Sequence, residues 1–150
     1  RNKTTKLASL SSKLKNYIIP AQRKRSKTYV TNMRNAQFIL GGFFSLVFTL
    51  FTYWQFNDPD PILWVPVYAS AVYTSIQAMR GKTNPELLLV LFVLSVFAGL
   101  QLWVEMTAWE GFLTDGLSMK THNQELAREA VGLWIASGSF ALFYGLEKKK

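Results

Sequence analysis

The side chains of this sequence that could bind a metal ion or a pigment lie at the edges of long apolar stretches. One set offers the carboxylate oxygens that a hard cation prefers: Asp58, Asp60, Glu105 and Glu110. A second set could reach a chlorophyll magnesium directly or through water: Gln55, Gln77, Gln101 and His122. The sequence fixes no distance within either set, so neither site follows from spacing alone.

Catalytic groups are scarce in this chain. A single histidine supplies no Ser-His-Asp triad, and the lack of cysteine removes thiolate nucleophiles, thiolate metal sites and disulfides. The sequence also has no glycine-rich phosphate loop and no His-rich metal motif. We therefore expect a protein that is not an enzyme, with no catalytic residue and no metal centre, and we keep the acidic set as the alternative.

The densest local motif is the run Asn57-Asp58-Pro59-Asp60-Pro61. A residue that precedes proline is pushed out of the helical region, so Asn57 or Asp58 should end one helix. Asp60 is placed to cap the next helix, and Pro61 to occupy its first position, where no N–H is required. The motif therefore predicts a rigid turn between two helices, which we prefer to a cation site.

Four apolar stretches must position these residues. They lie at about 38–56, 62–79, 87–104 and 126–146, with the charge-free part of the last one beginning at 131. Each is about long enough to cross a hydrocarbon core of roughly 30 Å. We predict an all-α fold in which residues 37–147 form a bundle of four transmembrane helices. The predicted fold also contains a short outer hairpin and an amphipathic helix in the outer loop. The apolar residues of that loop helix are Met106, Trp109, Phe112, Leu113 and Leu117.

The basic residues predict the orientation in the membrane. Of the 17 Lys and Arg residues, ten lie in an arm formed by residues 1–36, two in the turn at 80–85, and three in a tail at 148–150. By the positive-inside rule, the side that carries these 15 residues is the inner one, so both termini are inside. We therefore expect the basic residues behind the net charge of +8 to contact an anionic lipid surface, and we expect no nucleic-acid partner.

The arm is expected to bind a partner or an anionic membrane surface. Apolar side chains recur at helical spacing between Leu7 and Ile18, which predicts a short helix lying on the inner surface. The contact residues that we expect follow it: Arg23, Lys24, Arg25 and Lys27.

Small residues spaced four apart predict close approaches between helices. The three sets are Gly41, Ser45 and Thr49; Ser95 and Gly99; and Ser137, Ala141 and Gly145. We expect them to pack within the bundle, and we prefer this to docking of a foreign helix. The third stretch has a continuous aliphatic run from Leu87 to Leu94, so we expect it to be the most lipid-facing.

One charged pair is expected at the outer end of the bundle. Glu105 ends the third stretch and Arg128 enters the fourth, so both lie at a similar depth on antiparallel helices. A charge that faces acyl chains is costly, and pairing would reduce that cost. The alternative is that Arg128 extends to the headgroups without a partner.

The outer hairpin also carries a family resemblance. The segment from Tyr53 to Pro61, followed by Trp64-Val65-Pro66-Val67-Tyr68, resembles the outer hairpin of the transmembrane protein 220 family, and the run from Arg128 to Leu133 is similar to the family's last span. The resemblance covers about residues 38–146 and implies a small four-span membrane protein. The family has no established activity, so it implies architecture and leaves function open.

The expected function is that of a non-catalytic accessory subunit in a larger membrane complex, together with other membrane-protein subunits. An energy-transducing complex, photosynthetic or respiratory, is favoured, in a thylakoid or mitochondrial inner membrane rather than a bacterial plasma membrane. Residue 1 is Arg and not Met, which is consistent with removal of an organelle targeting segment. Chlorophyll or carotenoid is expected in the photosynthetic case, with bound lipids. The alternative is a small stand-alone transporter or channel.

Overall fold

The structure, a computed structural model, describes residues 30–57, 60–111 and 121–149. Four helices cover most of these residues: α1 Val30–Trp54, α2 Pro61–Met79, α3 Pro85–Glu105 and α4 His122–Lys148. All four are long and apolar enough to cross a membrane, and the described ranges contain no strand. The predicted four-helix, all-α fold is confirmed, and α4 begins four residues before the predicted span.

The chain divides into two compact units, Arg1–Ala36 and Gln37–Lys150. In the first unit, the described residues from Val30 onward are helical. The helix predicted in the arm lies outside the described residues. So does most of the predicted outer loop helix, while its first part, from Met106 to Gly111, is not helical. The contacts that join α1, α2, α3 and α4 at the polar clusters lie within the second unit.

The hairpin between α1 and α2 is short, as the aspartate–proline motif predicts. After Trp54 the chain forms a 3-10 turn, Gln55–Asn57, and α2 begins with Pro61 in its first turn. The prediction for the Asp60 side chain is wrong, because it makes no capping hydrogen bond. The Asp60 carbonyl oxygen instead accepts from the backbone N–H groups of Leu63 at 3.1 Å and Trp64 at 3.3 Å.

The turn between α2 and α3 is closed by glycine and asparagine. Gly81 has a φ of 65°, which a residue with a side chain rarely adopts, and its N–H donates to the Ala78 carbonyl at 3.0 Å. The Asn84 side chain accepts from the N–H groups of Glu86 at 2.9 Å and Leu87 at 3.2 Å. Asn84 is therefore the cap of α3, and this turn is fixed at both helix ends.

α4 is the central helix of the second unit. It packs along much of α3 and also contacts α2, and its Phe143 ring meets Phe44 of α1 edge-on, with centroids 5.8 Å apart. Its buried side chains include Leu133, Phe140 and Phe143. The core is therefore built around α4 and is lined with aromatic rings.

Glycines set the closest approaches between helices. A Cβ on Gly41 would lie 2.6 Å from the Ser75 carbonyl oxygen, one on Gly99 would strike the Trp134 ring, and one on Gly132 would strike the Tyr68 hydroxyl. The predicted small face of α3 is confirmed, since Ser95 and Gly99 are buried.

The small-residue prediction for α4 holds for Ser137, which is buried, and is wrong for the other two residues. Ala141 is exposed, and a Cβ on Gly145 would meet nothing within 4 Å. The face that packs instead includes Gly132, Ala136 and Phe140, because α4 contacts helices on several sides and its small residues are not confined to one contact.

Candidate functional site

The polar side chains of the second unit gather at its two ends. We call the end that holds Gln37, the α2–α3 turn and the last residues of α4 the turn end. The opposite end, which holds the α1–α2 hairpin and the first residues of α4, we call the hairpin end. Between them the four apolar stretches carry no Asp, Glu, Lys, Arg or His over residues 37–56, 62–79, 87–104 and 130–146. Any ionic chemistry of these helices is therefore confined to their ends.

A tertiary hydrogen-bond cluster closes the turn end. Glu147 Oε2 accepts from Thr83 Oγ1 at 2.5 Å and from Gln37 Nε2 at 3.2 Å. Gln37 belongs to α1, Thr83 to the α2–α3 turn and Glu147 to the end of α4. One carboxylate oxygen therefore ties three parts of the chain that are far apart in sequence.

Gln37 is the most buried member of this cluster, with only 1% of its surface exposed. Its Nε2 is satisfied by Glu147, whereas its Oε1 is buried and has no hydrogen-bond partner among the described residues. An unpaired buried oxygen costs about 1–3 kcal/mol. Such a cost is tolerated where the surrounding structure holds the side chain in place. Here α1 is held close to α2, because Gly41, one turn after Gln37, lies against the α2 backbone.

A second cluster joins the segment after α3 to the start of α4. The Glu110 carboxylate accepts from Thr121 Oγ1 and, at 3.0 Å, from Asn123 Nδ2. Asn123 Oδ1 accepts from the Thr107 N–H at 3.2 Å. Thr121 also caps α4, because its Oγ1 accepts from the Gln124 N–H at 3.2 Å. These bonds hold Glu110 in a structural role at the hairpin end.

The lone histidine lies between two carboxylates at this end. His122 Nε2 is 3.9 Å from Glu105 Oε1 of α3, and His122 Nδ1 is 3.6 Å from Glu125 Oε2, three residues along α4. All three groups reach solvent, His122 and Glu105 by more than half. Arg128 is half-buried, and its pairing with Glu105 stays a prediction.

Aromatic rings border the hairpin end. Trp103 of α3 lies 5.4 Å from Trp109 and 5.2 Å from Trp134 of α4, measured between ring centroids. Trp103 and Trp109 are exposed. This is the placement expected of tryptophans at the level where acyl chains meet headgroups.

The four residues predicted to reach a pigment do not form one site. Gln77 lies near the turn end, where its Nε2 donates to Tyr73 Oη at 3.0 Å. Gln55 and His122 lie at the hairpin end, and Gln101 is exposed on α3 one turn before Glu105. Gln55 is half-buried, and its Oε1 has no hydrogen-bond partner in the described residues. Pigment binding stays a prediction.

Several other predicted residues are outside the described part of the chain. They are Asp58 and Pro59 of the hairpin and the arm residues Arg23, Lys24, Arg25 and Lys27. Within residues 30–57, 60–111 and 121–149, no group of three or more His, Cys, Asp or Glu side chains could hold a metal ion. The clusters that are described bond to protein groups and fix the ends of the helices.

Sequence reasoning missed the cluster at the turn end. Gln37, Thr83 and Glu147 are polar residues that immediately border apolar stretches, and the predicted topology places all three at one membrane level. A search for polar residues at equal depth would have brought them together. Only packing, however, could show that they converge on one oxygen atom.

Comparison with known proteins identifies the architecture. No curated protein and no solved structure matches the chain. The family model described as "Transmembrane family 220, helix" matches residues 47–145, well over half of the 150 residues. This range begins within α1 and ends within α4, and it includes both the aspartate–proline hairpin and the hairpin-end cluster. The chain belongs to transmembrane family 220.

Proposed function

We propose that this protein is a non-catalytic, integral membrane accessory subunit of a larger membrane-protein complex. An energy-transducing complex of an organelle membrane, photosynthetic or respiratory, is the setting that we favour. The protein then contributes packing surface and charge to the assembly, and other subunits carry the chemistry.

The observation that carries this proposal is the composition of the interior. Buried aromatic and small residues fill the contacts between the helices, including Phe48, Tyr68, Phe140 and Phe143. Most hydroxyl groups in the spans are bonded to carbonyls of their own helix, such as Ser75 to Ala71 at 2.7 Å and Ser139 to Ala136 at 2.7 Å. Transport proteins commonly place broken helices or ionisable groups at the membrane midplane, and these spans carry no such charge.

Two further features support a partner. The outward faces of α1 and α3 carry large apolar side chains, among them Phe43, Leu46, Leu94 and Phe97, which suit either lipid or a neighbouring helix. The arm adds ten basic residues, nine of which precede the first helix. A basic segment of this kind is typical of attachment to an acidic partner or to anionic lipid.

The proposal is tested by native purification from mild detergent. We expect the protein to migrate with other membrane proteins well above its monomer mass, in a complex that contains pigment or quinone detectable by absorbance. Migration as an isolated monomer would contradict the subunit role. Solute flux through liposomes that contain only the purified chain would establish the transporter alternative instead.

The arm provides a second test. Replacing Arg23, Lys24, Arg25 and Lys27 together by Ala should weaken association with the complex in a salt-dependent manner, because exposed charges are screened within about 8 Å at physiological ionic strength. A control that replaces four uncharged arm residues, Ser9, Ser11, Ser12 and Asn16, by Ala should leave association unchanged. Equal retention of the basic variant at low and high salt would remove the arm from the interface.

The proposed orientation places both termini inside, in a thylakoid or mitochondrial inner membrane. Its support is the concentration of basic residues at the turn end and in the arm. Because the chain has no cysteine, single cysteines at Asp58 and Lys149 give a clean accessibility test. In sealed vesicles, an impermeant thiol reagent should label one of them and not the other, and equal labelling would overturn the topology.

A further inference from the structure

Four exposed basic residues belong to the two chain segments that the hydrogen-bond cluster joins at the turn end. Arg80 and Lys82 lie in the α2–α3 turn, and Lys148 and Lys149 lie at the end of α4. In sequence, the two pairs are more than 60 residues apart. In the structure, the hydrogen bond of 2.5 Å from Thr83 to Glu147 joins the residue after Lys82 to the residue before Lys148. This bond therefore brings together the two chain segments that carry the basic pairs.

We propose that these four residues form a binding site for the phosphate of an anionic lipid headgroup, and that the Thr83–Glu147–Gln37 cluster assembles it. The site is distinct from the proposed contact of the arm, and it does not depend on the protein being an accessory subunit.

Position and charge identify the occupant as a lipid. Side chains at the end of a membrane-spanning helix lie at the depth of the headgroups, and clustered Lys and Arg residues there attract anionic lipids. Two acids share this end, the exposed Glu86 and the half-buried Glu147. The four cations outnumber them and all four are exposed, so the surface offers a net positive charge to the headgroup layer.

The hydrogen-bond cluster distinguishes this site from a set of unconnected basic residues. Long basic side chains on separate mobile segments would have to be brought together for each bound lipid, with a loss of conformational entropy. Here the α2–α3 turn is fixed by Gly81 and by the Asn84 cap, and Glu147 fixes it against α4. The Lys148 Nζ lies 5.5 Å from the centroid of the Tyr144 ring. The backbone segments that carry the four basic side chains are therefore held together before lipid arrives.

The proposal is tested with spin-labelled phosphatidylglycerol and phosphatidylcholine, added to the full chain in phosphatidylcholine membranes. We expect the native protein to select phosphatidylglycerol, and Lys82→Gln or Lys148→Gln to lower that selectivity about fivefold each. Equal association of the two lipids with the native protein would overturn the site. Loss of the selectivity in millimolar inorganic phosphate at constant ionic strength would show that the site takes free phosphate, and would also overturn the lipid assignment.

Substitution at Thr83 separates an assembled site from a diffuse positive surface, because it changes no charge. Thr83→Val should lower phosphatidylglycerol selectivity about as much as loss of one lysine, whereas Thr83→Ser, which keeps the hydroxyl, should retain it. Thr52→Val is the matched control, since it loses a 2.7 Å bond to the Phe48 carbonyl near the hairpin end. Full selectivity in a Thr83→Val protein that unfolds at the native temperature would refute assembly by the cluster.

Glu86 provides a charge control at the same end. Glu86→Gln removes a negative charge and leaves the Thr83–Glu147 bond intact, because the Asn84 cap uses only the Glu86 backbone N–H. Selectivity for phosphatidylglycerol should therefore increase. A decrease would mean that Glu86 itself builds the site, contrary to the proposal.

Discussion

α3 and α4 pack along one another, yet they differ in how much of their surface is buried. α3 is the more apolar by composition, but only 17% of its most apolar stretch is buried, against 44% for α4. The buried residues of α3 are Leu88, Ser95 and Gly99. In a membrane, an apolar side chain can contact lipid or another helix at similar cost. Which side chains are buried therefore depends on shape and on small residues that allow close packing, rather than on hydropathy.

The largest change in the free energy of unfolding should come from replacing one phenylalanine by alanine in each helix. Phe140 of α4 is 1% exposed, and Phe97 of α3 is 69% exposed. Phe140→Ala should lower the free energy of unfolding by about 3–5 kcal/mol, because it leaves a cavity in the core. Phe97→Ala should change it by no more than about 0.5 kcal/mol, since lipid or detergent fills the space. Reversible unfolding in mixed micelles measures both, and equal losses would abolish the contrast between the helices.

A smaller effect is expected from adding one methyl group to each helix. Gly99→Ala directs a Cβ into the Trp134 ring, whereas Gly145→Ala directs it into open space. We expect Gly99→Ala to destabilise the protein by about 1–3 kcal/mol through overpacking. Gly145→Ala should stabilise it by about 0.5–1 kcal/mol, the advantage of Ala over Gly within a helix. The same unfolding assay applies, and an unchanged Gly99→Ala protein would show that α3 is free to shift on α4.

The start of α3 should contribute more than the start of α2. Asn84 accepts two backbone N–H bonds, while the Asp60 side chain makes no capping bond. Asn84→Ala should therefore cost about 1 kcal/mol, and Asp60→Ala about 0.3 kcal/mol through the helix dipole alone. Thermal unfolding in detergent resolves the two. A larger loss for Asp60→Ala would reveal a role for that carboxylate that the hairpin geometry does not suggest.

The smallest effect is expected for the two polar residues of α4, His122 and Arg128, that are paired with Glu105 of α3 in the following test. Double-mutant cycles that pair Glu105→Gln with His122→Gln, and Glu105→Gln with Arg128→Gln, should give coupling free energies below about 1 kcal/mol, because the Glu105 side chain is exposed to solvent. Strictly additive losses with Arg128 would exclude that pair, and strictly additive losses with His122 would show that its approach of 3.9 Å to Glu105 contributes nothing to stability.

Several features could be predicted from the sequence because their physical cause is local. The α2 start at Pro61 follows from proline geometry, and the small face with Ser95 and Gly99 follows from helical spacing. The capping role assigned to Asp60 failed because residue type permits a cap without forcing its rotamer. In the predicted set of small residues on α4, Ser137 is buried but Ala141 and Gly145 are not packed, because spacing identifies a helix face and does not say how far another helix covers it.

The sequence by itself determined the four spans and their approximate ends, because the width of the bilayer and the distribution of charge act on each segment separately. It also determined the family, because the motif of the outer hairpin is continuous in sequence. Tertiary structure decided that α4 is central, that His122 lies beside Glu105, and that Gln37 and Thr83 share one oxygen of Glu147. Any apolar helix face can contact lipid, so hydropathy does not determine which helix faces pack against each other. Those choices depend on the fit of side chains from distant segments, such as Tyr68 against Gly132, which no single stretch of sequence contains.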